Sequence, residues 1–194
     1  MSSSYRDELN RWLEQLDVKA DRVLDIGGSQ KSLKPRVKSW EVGQLRIADL
    51  PNPHENSPKP DIELDLNADI LDHKIFIDDY EGYDLIFCLE VFEYVWSPRD
   101  AMQTISDLLK NGGHAWVTFP SIYPIHEPVK DDALRYMPGG IEKLAQGTGL
   151  VVDRMIPRRP ESRLFESFVS AERMRAAKGV DHHFTGFIVR FKKP

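Results

Sequence analysis

The chain is short of cysteine, of long apolar runs and of positive charge, and each shortage removes a class of protein. A single thiol among 194 residues, Cys88, excludes an internal disulfide. It lies in the apolar run Asp84-Leu85-Ile86-Phe87-Cys88-Leu89 and reads as a small buried hydrophobe in a reducing cytoplasm. No uncharged apolar stretch approaches the roughly 18 residues of a membrane span, and Met1-Ser2-Ser3-Ser4-Tyr5-Arg6-Asp7-Glu8 has no apolar signal core. A soluble, unanchored protein is expected. A net charge of -5 and a pI near 5.7 offer no general basic surface to a polyanion, so nucleic acid is not an expected partner. Neither a phosphate loop nor a serine-centred elbow is present, which leaves nucleotide hydrolysis and ester hydrolysis without support. Asp181-His182-His183 has no further His or Cys nearby at ligand spacing, so no metal site is expected and a turn before the last strand accounts for these residues.

What is present suits one domain over residues 1–194, with 41% hydrophobic residues to build a single core. Residues 1–20 read as an amphipathic helix capped by Ser3 or Ser4, with Leu9, Trp12, Leu13 and Leu16 at helical spacing. Short apolar runs then recur at Arg22–Ile26, Leu45–Leu50, Ile62–Leu66, Asp84–Leu89 and His114–Phe119, bounded by Gly, Pro and Asp as buried strands are. Between the last two of these, Pro98–Lys110 sets Met102, Ile105, Leu108 and Leu109 on one face, with Gly112-Gly113 as its stop signal. A helix from about Gly140 to Gln146, a strand at Leu150–Ile156, a helix at Arg163–Lys178 and a strand at Phe184–Phe191 complete the pattern. Strands alternating with helices predict right-handed crossovers and an α/β doubly wound, mostly parallel seven-stranded sheet with helices on both faces. Pro51–Pro60, with four prolines, reads as a surface loop.

Chemistry concentrates where strands end. Val23-Leu24-Asp25-Ile26-Gly27-Gly28-Ser29 is a strand closing on an acid and a glycine turn, a place where a ligand can approach the backbone because no Cβ stands in the way. The dinucleotide fingerprint would need glycines at Gly27, Ser29 and Ser32; two of the three are missing, which disfavours a nicotinamide oxidoreductase. A second acid, Asp49, followed by Leu50, ends the second strand 24 residues after Asp25; a carboxylate there can accept two ribose hydroxyls, or simply solvate a turn. The third strand ends in Asp65-Leu66-Asn67, where Asp65 or Asn67 can face an adenine amino group.

In that order, Asp25-Ile26-Gly27-Gly28-Ser29, Asp49, Asp65-Leu66-Asn67, Tyr83-Asp84-Leu85-Ile86-Phe87-Cys88-Leu89-Glu90-Val91-Phe92-Glu93-Tyr94-Val95 and Leu108-Leu109-Lys110-Asn111-Gly112-Gly113 resemble the class I S-adenosylmethionine-dependent methyltransferases over residues 20–150. The resemblance implies a Rossmann-like methyltransferase fold and S-adenosylmethionine as cofactor. It implies Asp25, Gly27, Gly28 and Ser29 under the methionine part, Asp49 and Leu50 at the ribose, Asp65, Leu66 and Asn67 at the adenine, and Leu89 and Glu90 on the methionine side. The chain departs from the family pattern at Ser29, where a spaced glycine is common, at Tyr94, where His is frequent, and at Pro51–Pro60, where a crossover helix is usual.

Residues 120–140 follow the fifth strand as a long loop with prolines at 120, 124, 128 and 138, and a loop of that length is usually functional. It is similar to a subset of these methyltransferases, and by that comparison His126, Asp131 or Asp132, Arg135 and Tyr136 edge the pocket of a small-molecule acceptor. His126 can take a proton from a hydroxyl or amine with an acid fixing its tautomer, and Arg135 can bind an anionic acceptor or pair with Asp131. The expected activity is methyl transfer to oxygen or nitrogen. A non-catalytic, cofactor-binding regulatory or scaffolding protein of the same fold is the alternative, since fold does not fix function.

Overall fold

The computed structural model describes residues 4–53, 57–68, 81–122, 125, 127–159 and 184–194. The helix expected at Arg163–Lys178, the Asp181-His182-His183 turn and His126 lie outside them. The elements are α1 (Ser4–Leu13), β1 (Asp17–Ile26), β2 (Ser39–Asp49), β3 (Ile62–Glu63), β4 (Tyr83–Cys88), α2 (Pro98–Leu108), β5 (Leu109–Pro120), α3 (Pro138–Gly147), β6 (Val151–Arg158) and β7 (Gly186–Lys192), with a 3-10 turn at Lys34–Arg36. They form one seven-stranded sheet in the order β3-β2-β1-β4-β5-β7-β6. β7 runs antiparallel between β5 and β6; β1 to β5 are parallel.

Side chains alternate across this sheet and create two apolar layers. On one face Leu24, Ile86, Val117 and Val189 pack under α2 and α3. Ala101, Met102, Ile105 and Leu108 of α2 are buried at the three- and four-residue spacing of a helix stripe; Pro98 occupies its first turn, where a missing N–H costs nothing. On the other face Val23, Phe87, Trp116 and Ile188 meet Leu9 and Leu13 of α1. Trp12 abuts Trp116 edge-on at 4.7 Å between ring centroids.

Three sequence expectations are corrected. β1 and β2 begin earlier than their apolar runs, because their first halves are solvated ladders: Lys19 pairs with Glu41 and Lys38 with Asp17. β3 stops at Glu63, and Leu64 N continues only as a single bond to Asp49 O. The first crossover, residues 27–38, holds a 3-10 turn, with buried Leu33 filling part of the space beneath it. Gly112-Gly113 does not stop α2, which ends at Leu108 as β5 begins directly. The glycines form an irregularity in β5 instead. Gly112 has φ +80, and a Cβ on Gly113 would lie 2.9 Å from Lys110 O and 3.1 Å from Tyr83 O. The register jumps there, Tyr83 facing Leu109 and Leu85 facing His114.

Candidate functional site

The carboxyl ends of β1, β2, β3 and β4 open along one edge of the sheet, the edge where doubly wound folds place ligands. At β1 the chain turns sharply: Gly27 has φ +79, and a Cβ there would lie 2.4 Å from Val91 Cγ2. A Cβ on Gly28 would meet Asp25 Oδ2 at 2.2 Å. Both positions need glycine for space, the first also for its backbone angle. The turn is tied to β2 by Gly27 N, which donates to Ala48 O at 2.8 Å, and by Ser29 N, which donates to Asp49 Oδ2 at 3.1 Å. Asp49 Oδ1 accepts Leu50 N at 2.9 Å. The glycine turn and the second acid therefore share one crevice. An ionised carboxylate offers about four acceptor positions, so these two backbone bonds leave capacity for hydroxyl donors.

Asp25 is buried under that turn. Burial raises its pKa to about 8, the Arg36 guanidinium holds it down and the Asp49 charge pushes it further up, so at neutral pH it is largely a neutral acid. Ser29 is 7% exposed and, among the described residues, its Oγ has no partner; the Nε of Arg36 is likewise buried without one. An unsatisfied hydroxyl on a bared backbone turn is what a polar ligand would complete.

At the end of β3, Leu66 is buried and Asp65 Oδ1 accepts Asn67 N at 2.9 Å. Asn67 is committed to structure: its Nδ2 donates to Tyr94 O at 3.1 Å and its Oδ1 accepts Trp96 N at 2.5 Å. That fastens β3 to the loop after β4. Tyr94, in turn, donates its hydroxyl to Glu127 O at 2.8 Å. After β4, Leu89 packs on the α1-side layer, while Glu90 takes φ +58, a left-handed conformation that costs a residue with a Cβ about 1–2 kcal/mol. Its N–H donates to Thr118 Oγ1 at 2.7 Å and its carboxylate accepts Arg158 Nη1 at 2.5 Å. Glu93 is buried next to this pair; burial and the charge of Glu90 push its pKa upward, against the pull of Arg158.

On the acceptor side, Arg135 pairs with Asp132 through both terminal guanidinium nitrogens, so of the two acids the sequence offered, Asp131 or Asp132, it is Asp132 that meets this arginine. Asp131 is exposed, its N–H donating to Pro128 O at 2.9 Å. Tyr136 is buried against Phe92 and Phe119. Its hydroxyl donates to Phe92 O at 3.1 Å and its N–H to Pro120 O at 2.8 Å, so it anchors the loop in the core. Burial moves its ionisation still higher than that of a free phenol. Sequence reasoning missed Arg36 and Arg158, and gave no role to Val91 and Glu93 although both lie in the stretch that carries the family resemblance. Arg158 carried a faint signal, an arginine closing the strand of β6.

The sequence matches the family described as Methyltransferase domain over residues 1–154. Among solved structures it is similar to the S-adenosylmethionine dependent methyltransferase of Mesorhizobium loti, at 13% identity and TM-score 0.61, covering 98% of each chain. A SAM dependent methyltransferase from Archaeoglobus fulgidus aligns at 14% identity and TM-score 0.61 over 99% of this chain and 95% of that one. The phosphoethanolamine N-methyltransferase 2 of Haemonchus contortus, in complex with S-adenosyl-L-methionine, aligns at 13% identity and TM-score 0.54 over 98% of this chain and 52% of that one. No curated protein matches. Identities this low speak for a common fold and leave the acceptor open.

Proposed function

The chain belongs to the methyltransferase domain family and is an S-adenosylmethionine-dependent methyltransferase; from that premise we propose that it methylates an oxygen or nitrogen of a small molecule. One observation carries the reading of the site: Asp49 closes on the glycine turn through Ser29 N at 3.1 Å, which sets an acid and a bared backbone side by side as an adenosyl ligand requires. In this reading Asp49 accepts the ribose hydroxyls, and Gly27, Gly28 and Ser29 pass beneath the methionine part with Asp25 under them. Asp65 and Leu66 border the adenine, with Leu50 beside the ribose and Asn67 bracing that wall. Leu89 and Glu90 close the methionine side.

When bound, the cofactor supplies a methyl group already activated on a sulfonium. The protein's share is to hold the acceptor in line at roughly 3–3.5 Å and to keep water out. His126 is the candidate to take a proton from a hydroxyl or amine acceptor. Asp131, the Asp132–Arg135 pair and Tyr136 belong to the same stretch of sequence, and Tyr136 acts by anchoring its described end in the core.

The test is calorimetric titration with S-adenosylmethionine and its demethylated product, followed by a labelled-methyl screen over small hydroxyl and amine compounds. Binding plus label on a compound supports the proposal, and His126→Ala should slow the transfer while sparing cofactor affinity. Label recovered only on protein or nucleic acid would overturn it.

A further inference from the structure

Large apolar side chains that stay exposed are not spread evenly over this protein. Val151 lies at the amino-terminal edge of the sheet, level with Lys192 and His114, and Leu50 stands at the end of β2. The other five among the described residues, Trp96, Ile122, Ile125, Val129 and Met137, all fall on the two segments that leave the carboxyl ends of β4 and β5. Trp96 is 73% exposed and Ile125 70%. A lone exposed apolar residue needs no explanation, but a gathering of them at one edge marks a binding surface.

Hydrogen bonds hold the two segments together. Tyr94 donates its hydroxyl to Glu127 O at 2.8 Å, which ties the stretch before Trp96 to a point between Ile125 and Val129. Ala133 N donates to Glu93 O at 2.8 Å and Tyr136 N to Pro120 O at 2.8 Å. Ser121 Oγ donates to Met137 Sδ at 3.4 Å, next to Ile122. The β4 loop begins on the crevice floor, where Val91 crowds Gly27, and its far end is clasped to the wall after β3 by Trp96 N on Asn67 Oδ1 at 2.5 Å. The apolar group therefore borders the crevice on the acceptor side. Charge held inside this region is answered within the protein: the Asp132 side chain, closed to solvent, pairs with Arg135, and buried Arg158 pairs with Glu90. Lys130 and Asp131 are exposed. What remains for recognition at the rim is apolar contact.

We propose that Trp96, Ile125 and Val129, with Ile122 and Met137, seat the apolar body of the acceptor, so that the substrate is a small molecule with an extended aliphatic or aromatic part besides the hydroxyl or amine it presents for methylation. The proposal rests on the small-molecule methyl-transfer reading above and narrows its substrate class. A second copy of the chain or a protein partner seated on this rim would close the side from which an acceptor reaches the crevice. An apolar acceptor uses rim and crevice at once.

The test titrates the full chain, saturated with S-adenosylhomocysteine, with straight-chain primary alcohols from butanol to decanol and follows binding by calorimetry. Affinity should rise about two- to fourfold with each added methylene. Trp96→Ser/Val129→Ser, which alters exposed side chains alone, should flatten that rise while S-adenosylhomocysteine binds as before; thermal melting checks that the variant is folded. In the labelled-methyl screen, alcohols and amines with apolar bodies should be labelled at lower KM than short polar ones. Affinity independent of chain length, or the same rise in both proteins, overturns the apolar seat. So does a rim that drives self-association in sedimentation, or binds phosphatidylcholine vesicles, while dissolved alcohols stay unbound. Label on short polar compounds alone overturns the substrate class and leaves the methyl-transfer reading in place. A chain that does not bind S-adenosylhomocysteine sinks both.

Discussion

Ser29 donates its backbone N–H to the side chain of Asp49 at 3.1 Å, so the acid that ends β2 is also the strut that fixes the turn after β1. Asp49 therefore has two tasks that mutation can separate. Asp49→Ala removes the strut and the proposed ribose acceptor together. It should weaken S-adenosylhomocysteine by about 1–3 kcal/mol and lower folding stability by about 1 kcal/mol. Asp49→Asn keeps one oxygen to accept Ser29 N or Leu50 N, and should lose affinity with little loss of stability. Calorimetry and urea unfolding read the two quantities separately; unaltered affinity in Asp49→Ala would refute the ribose assignment.

Gly27 faces Val91 across the crevice floor, with only 2.4 Å between Val91 Cγ2 and the place a Cβ would take. Gly27→Ala therefore meets a steric cost of about 1–3 kcal/mol and a further left-handed backbone cost of about 1–2 kcal/mol at φ +79. The double variant Gly27→Ala/Val91→Ala should regain the steric part and leave the backbone part. The two substitutions are thus expected to be non-additive in urea unfolding, the double variant being more stable than the sum of the singles. Simple additivity would show that the turn moves away from β4 instead of pressing on it.

The parts of this fold that were legible in the sequence are those where burial is complete. The apolar halves of β1, β4 and β5, the stripe of α2 and the acids closing β1 and β2 follow from strand and helix periods alone. The solvated first halves of β1 and β2 were hidden because Asp17, Lys19 and Glu41 make those stretches look like loop, although cross-strand ion pairs hold them in the sheet. Gly112-Gly113 misled because a glycine pair after a helix and a glycine pair inside an irregular strand read alike; what decides between them is the crowding by Lys110 O and Tyr83 O, a tertiary fact. The site divides in the same way. Its backbone features, the turn and the strand-end acids, have a local pattern. Arg36 and Arg158 reach Asn10 and Glu90 from 26 and 68 residues away, and no spacing rule points to such pairs.

Asp25 makes stability depend on pH. Its pKa is about 8 when folded against about 3.9 in an unfolded chain, so between these values the native state keeps a proton that the unfolded state has released. Stability is then greatest below about pH 4, falls as pH rises toward 8 and is level above. A shift of this size corresponds to on the order of 3–6 kcal/mol. Asp25→Asn, neutral at every pH, should match the wild type near pH 4.5 and exceed it near pH 8.5. Buried Glu93, also shifted upward, leaves part of the slope in place. Urea unfolding at several pH values checks this, and an Asp25→Asn profile parallel to the wild type would contradict the buried, neutral Asp25.

Arg158 and Glu90 form a pair in which the cation is almost wholly buried, 3% exposed, while the acid is 25% exposed. Removing one partner of such a pair leaves a charge that cannot reach water easily, which typically costs about 3–5 kcal/mol, whereas replacing both with apolar residues of similar volume can be close to neutral. The two directions of removal differ here. Glu90→Gln takes from the buried Arg158 its Glu90 partner, and it also removes a charge that pushes Glu93 toward its neutral form. Glu93 can then ionise more readily and take over part of the pairing, so the loss should stay below about 3 kcal/mol. Arg158→Met removes the cation that restrains Glu93, so Glu93 should hold its proton to still higher pH and the half-buried Glu90 should lose the partner that fixes its left-handed backbone. The loss of stability should therefore be smaller at pH 5.5 than at pH 8.5, where both acids tend to ionise without a cation. Combining Arg158→Met with Glu90→Gln should abolish most of that pH difference, and urea unfolding of the three variants at the two pH values decides the matter; a pH-independent loss in Arg158→Met would show that Glu93 does not feel this pair.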